Sequence, residues 1–140
     1  MAMVACAVAA PPAPARAPAV PPLAAQCGDL LARMGKKPPL ARYAGCRAQP
    51  DRQGKPLRAT YRVSGRDAAQ VEAFLVRALG MRPLERVCCI WETRTIYVKD
   101  AGGAVYSIVM GSDETLVHNR AEWHAIPVFE IVVERYTEDI

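Results

Sequence analysis

From Leu57 to Val63 apolar and polar positions alternate, with Leu57, Ala59, Tyr61 and Val63 on one side and Arg58, Thr60 and Arg62 on the other. A period of two predicts a strand with one buried face. The period then changes: Val71, Phe74, Leu75, Ala78 and Leu79 recur at the spacing of an amphipathic helix. Asp67-Ala68-Ala69-Gln70 has the form of a capping box at its start, and Gly80 followed by Pro83 ends it. Arg94–Lys99 and Ala104–Met110 read as strands joined by the hairpin signal Asp100-Ala101-Gly102-Gly103. Val128–Tyr136 reads as a last strand, burying Phe129, Ile131 and Val133 opposite Glu130 and Glu134. Earlier in the chain, Cys27–Met34 predicts a short helix with Leu30, Leu31 and Met34 on one side and Gly35 closing it. Lys36–Lys55 is basic, broken by Pro38, Pro39, Pro50 and Gly54, and reads as a long connection anchored at Cys46. Helix, strand, helix and then three strands predict an α+β fold, with an antiparallel sheet of about four strands packed on one or two helices.

Composition changes this picture mainly at the start. The 140 residues are 51% hydrophobic, but residues 1–25 are almost all Ala, Val, Pro and Met, with Arg16 as their only charge. Six prolines between Pro11 and Pro22 exclude a core strand or helix there. Residues 1–25 are therefore expected to be a signal peptide or an Ala/Pro-rich leader, and residues 26–140 a single α+β domain. No Lys or Arg precedes the apolar run, an imperfect fit to a secretory signal, yet Leu23-Ala24-Ala25 before Gln26 offers the small residues of a cleavage site. A lipid anchor at Cys6 is the weaker alternative. No apolar run reaches the ~18 residues of a membrane-spanning helix.

Cleavage after Ala25 would leave Cys27, Cys46, Cys88 and Cys89, an even number in a small domain, which predicts two disulfides and an oxidising compartment, periplasmic or extracellular. Four cysteines allow three pairings. One joins Cys88 to its neighbour Cys89, and consecutive Cα atoms about 3.8 Å apart sit closer than ordinary disulfide geometry prefers. Cys27 and Cys46 are therefore each expected to take one of the adjacent pair. If Cys88 and Cys89 lie in a strand, their side chains leave opposite faces of the sheet. A zinc site or a redox pair fits less well, because C-x-x-C spacing is lacking and both His lie far from the cysteines in sequence.

The densest local signal is Cys88-Cys89-Ile90-Trp91-Glu92. With the early Cys27 before Asp29-Leu30-Leu31, Pro39-Leu40 ahead of Cys46, and Tyr61, Val63 and Gly65 at a strand end, the stretch from Cys27 to about Tyr136 resembles a family of small exported bacterial proteins, the domain of unknown function numbered 4952. Members of that family carry Gly where this chain has Ile90, a departure that favours a regular strand here over a strained turn. The resemblance implies export and disulfides, and supplies no catalytic residues.

Trp91 reads first as a core side chain beside the cysteines, and otherwise as an exposed anchor for a partner with Glu92 beside it. The second candidate stretch, Asp113 to His124, contains Asp113, Glu114, His118 and Trp123. On a helix Glu114, His118 and Glu122 would share a face from which a metal site or an acid/base group could be built, but Thr115-Leu116-Val117 reads more as strand, which disperses them. No metal or cofactor is expected.

Charge divides the chain. Gln26–Arg86 has 13 basic and 5 acidic residues, whereas Val87–Ile140 has 4 and 9. A basic and an acidic side of the domain follow if the halves occupy different surfaces. Nucleic acid is a poor fit, since only Tyr43 and Tyr61 interleave with the early basic residues and no binding motif is present. The expected function is that of an exported, non-enzymatic binding protein, of inhibitor or immunity type, with another protein as its partner. Its candidate contacts are Trp91, Glu92, Asp113, Glu114, His118 and Trp123. The competing expectations are a small envelope hydrolase using Glu92, Asp113, Glu114 or His118, and a thiol oxidoreductase centred on Cys88 and Cys89.

Overall fold

The computed structural model describes residues 2–14 and 22–140. Met1 and residues 15–21 of the expected leader, Arg16 among them, therefore lie outside the described residues, while residues 2–14 contain no helix or strand. The elements in chain order are α1 (Leu23–Gln26), α2 (Leu30–Arg33), β1 (Arg42–Ala48), β2 (Leu57–Ser64), α3 (Ala68–Leu79), β3 (Glu85–Val87), β4 (Ile90–Glu92), β5 (Ile96–Lys99), β6 (Val105–Ser112), a 3₁₀ turn (Arg120–Ala125) and β7 (Val128–Arg135). One sheet contains all seven strands, in the order β1-β2-β7-β6-β4-β3, with β5 also paired to β6. Every pairing is antiparallel.

Mostly antiparallel sheet with few helices agrees with the expected class, but seven strands replace about four. The additional ones are β1, β3 and β4. The two short strands β3 and β4 have three residues each, too few for an alternating pattern to emerge. β1 was hidden for another reason. Its register shifts between Tyr43 and Gly45, so Arg42 lies opposite Arg62 and Tyr43 opposite Tyr61, yet Cys46 lies opposite Ala59 and Arg47 opposite Arg58. Gly45 occupies φ 139°, a backbone conformation open to glycine. The extra residue beside it, Ala44, has no partner in β2 and resets the parity of the strand. Tyr43 and Cys46, three apart in sequence, consequently share the core face, and Arg42 and Arg47, five apart, share the other.

The core follows the periodicities. Ala59, Tyr61 and Val63 of β2, Phe129, Ile131 and Val133 of β7, and Ile108 and Met110 of β6 are fully buried on one face of the sheet. Leu30 and Leu31 of α2, Val71 and Leu75 of α3, and Trp123 of the 3₁₀ turn complete the same cluster. Gly80 ends α3 with φ 69°. The expected capping box does not form: the Asp67 side chain makes no helix cap and instead accepts a hydrogen bond from the Ser64 hydroxyl, 3.0 Å. Gly65 allows the chain after β2 to pass against the carbonyls of Trp123 and Ile126, where a Cβ would collide with both.

The expected sulfur pairing is corrected. Cys27 bonds Cys46, with Cα atoms 5.5 Å apart, and Cys88 bonds Cys89. Sheet order explains why. β1 stands at one edge and β4 four strands away, about 19 Å at ordinary strand spacing, beyond the reach of any disulfide from Cys46. Nor do the adjacent cysteines lie in a strand. They form the two-residue turn between β3 and β4, where Val87 pairs with Ile90 and Cys88 adopts the left-handed φ of 52° that such hairpin turns require. Ile90 itself begins β4.

Candidate functional site

Trp91 and Trp123 are core residues, 5% and 3% exposed, which withdraws both side chains from any partner surface. They meet edge to face with ring centroids 5.2 Å apart, and Trp123 continues to Phe129 at 5.3 Å. Around them the segment after β6 is tied down onto the β3–β4 hairpin. The Trp91 indole N–H donates to the Val117 carbonyl at 2.8 Å, Arg86 donates to the same carbonyl at 2.8 Å and to the Thr115 carbonyl at 2.5 Å, and Thr115 N–H donates to the Cys89 carbonyl at 2.9 Å. Farther along, Arg120 stacks its guanidinium 4.2 Å over the Trp123 ring and pairs with Glu72. Buried Glu72 also accepts from Leu84 N–H at 2.7 Å. None of these contacts was legible as a pattern, since each joins residues far apart in sequence.

Asp113, Glu114 and His118 are exposed on this tied segment, and Glu92 is half-buried in β4. A groove of about 670 Å³ lies along Gly102–Val105 and the chain after Arg135, another of about 470 Å³ along β1, and none of these four side chains lines either. Among the described residues no group of three His, Cys, Asp or Glu is placed to hold a metal ion.

The opposite end of the sheet has its own polar cluster. The Tyr61 hydroxyl donates to Asp29 at 2.8 Å and accepts from Leu31 N–H at 2.9 Å. Asp29 also caps α2 through Ala32 N–H and pairs with Lys37 at 2.6 Å. Burial pushes the Asp29 carboxyl upward, but the bonds from Lys37, Tyr61 and Ala32 outweigh it and hold its pKa below the ordinary 3.8. Burial, aided by the Asp29 carboxylate, raises the pKa of Tyr61.

The face of the sheet opposite the main core, on which Glu134 and Ser107 are themselves buried, shows where part of the charge goes. In one row across the strands Arg42, Arg62, Glu130, Gly111, Glu92 and Glu85 stand successively opposite one another. A second row runs Arg47, Arg58, Glu134, Ser107 and Tyr97. Along these rows arginines stand on β1 and β2, and glutamates stand beyond them on the same face, Glu130 and Glu134 on the central strand β7 and Glu92 and Glu85 on β4 and β3. Glu134 accepts from Arg52 at 2.7 Å and lies 3.7 Å from Arg58. The sequence reading missed Arg42, Arg47 and Arg62 as a group because it took β1 for a connection. Gly45 between two arginines was the available sign, since an isolated glycine in a strand often marks a bulge.

Taken together, fold and surface define a disulfide-containing domain built on one antiparallel sheet with a charge-graded open face. The model of a family described as a domain of unknown function, numbered 4952, matches residues 15–91, more than half of the chain, and the chain belongs to that family. The match ends at Trp91 and so contains both arginine-bearing strands, the Cys27–Cys46 bond and the Cys88-Cys89 turn. No curated protein and no solved structure matches the chain. No helix among the described residues is long and apolar enough to cross a membrane.

Proposed function

We propose that this protein is an exported, non-enzymatic binding protein, of inhibitor or immunity type, that occludes a protein partner with a rigid surface. It acts in an oxidising compartment, periplasmic or extracellular. The observation that carries this reading is the combination of a bond between distant elements, Cys27 to Cys46, with an uncovered sheet face graded from arginine to glutamate. A cross-element disulfide suits export. Charge arranged in rows speeds encounter with a complementary partner and selects against others. The mechanism is steric: the sheet stays as it is, and the partner's working surface is covered.

The test is native mass spectrometry of the full chain, expressed in the envelope of its own host together with the products encoded beside it. A stoichiometric complex with one such product is expected, with the intact mass showing the exported chain and its sulfur state. Turnover of a peptide, ester or glycoside substrate that disappears in Glu92→Gln or Glu114→Gln, without any complex, would replace this reading with the hydrolase.

A further inference from the structure

Resting on the binding reading above, we infer that β1 is the docking edge, and that its occupant is an extended segment of a protein partner with acidic side chains at alternate positions. β1 ends the sheet, so its outer edge pairs with no strand among the described residues. An unpaired edge is a template for another strand. Its side chains choose which one. Arg42 stands directly opposite Arg62, and Arg47 opposite Arg58. Like charges so placed oppose folding, and the acidic residues next in the rows, Glu130 and Glu134, lie on the far side of β2. The two arginines of β2 are thus flanked by glutamates, while those of β1 face outward without one.

The bulge at Gly45 is what brings Arg42 and Arg47 to one face, and it opens a groove of about 470 Å³ beside Arg47, Arg58 and Thr60. A strand added along this edge presents every second side chain to that face. Carboxylates at those positions meet Arg42 and Arg47, and the intervening residues face the core side near Tyr43, which is 41% exposed. A second copy of β1 is a poor occupant, because it brings arginine against arginine. A polyanion engages the guanidinium groups and leaves the backbone edge unused, which separates it experimentally from a strand.

The probe is the acetylated, amidated peptide Glu-Val-Glu-Val-Glu-Val-Glu added to the full oxidised chain, with binding read by calorimetry and amide exchange read at Gly45–Ala48. Binding is expected together with slowed exchange in β1. The double variant Arg42→Gln/Arg47→Gln, which removes two like-charge oppositions and so keeps the fold, should bind about tenfold more weakly, while Arg82→Gln should not differ. Methylating alternate peptide nitrogens should abolish binding. The inference is overturned if the double variant binds equally well, if the methylated peptide or inorganic polyphosphate protects β1 equally, or if the chain alone forms salt-sensitive oligomers through this edge. A complex with a neighbouring gene product that persists in the double variant would overturn this edge and leave the binding function standing. Absence of any such complex, with the peptide still bound, would do the reverse.

Discussion

At the β1 end of the sheet, the segment carrying α2 is fastened by a covalent bond from Cys27 to Cys46 and by the Asp29, Tyr61 and Lys37 cluster. At the β3–β4 end, the only sulfur bond among the described residues is local, between Cys88 and Cys89, and the long segment between β6 and β7 is held by Arg86, Trp91 and Arg120 reaching carbonyls, a carboxylate and a ring. The difference teaches that a disulfide's worth here depends on what it closes. The first removes freedom from a stretch with a sequence separation of 19, while the second constrains two residues that are already bonded neighbours.

The comparison is broken most forcefully at the hydrogen-bonded end. Trp91→Ala removes a buried ring that contacts Trp123 and also donates to Val117, and should cost about 3–5 kcal/mol by denaturant unfolding. Trp91→Phe keeps an aromatic ring but loses the donor and part of the buried indole, so it should cost less, about 1–3 kcal/mol. At the covalent end, Cys27→Ser/Cys46→Ser should lower stability by about 3 kcal/mol while leaving the far-end packing, read by indole fluorescence, unchanged in the folded state.

Asp29→Ala comes next, at about 1–2 kcal/mol, because it removes the α2 cap and the acceptor of the Tyr61 hydroxyl. Its signature is pH dependence. The folded carboxyl has a pKa below the ordinary 3.8, so its contribution is complete above that value and is lost as pH falls through the lower folded value. Native protein should therefore lose its advantage over the variant in acid and keep it from pH 5 to 7, measured as the difference in urea midpoints. The smallest effect should belong to Cys88→Ser/Cys89→Ser, less than about 1 kcal/mol, since nearly no loop is released. A loss comparable with the Cys27/Cys46 pair would show that the two ends are held alike.

Period-two patterns made β2 and β7 readable and a period of 3.6 made α3 so, while β5 and β6 were legible as strand-like runs about a hairpin signal, together with the buried faces Tyr61–Val63 and Phe129–Val133. Those runs bury an entire row of apolar side chains, and that need is written at every second or third residue. β1 was not readable because a bulge interrupts its parity, and most of its side chains face water. The candidate site fared similarly. Trp91 and Trp123 stood out by type, but type alone does not separate a core aromatic from an exposed anchor, and burial decided for the core.

Family membership was legible in the sequence, and the family match covers residues 15–91. The sequence by itself also determined the α+β class and the division of charge between its halves, because these follow from residue order and local periodicity. Only the tertiary structure decided which cysteines meet, which tryptophans are hidden, and that the arginines of β1 and β2 share one face with glutamates of the neighbouring strands. Those outcomes depend on the order in which strands lie side by side, set by long-range pairing that no local window contains.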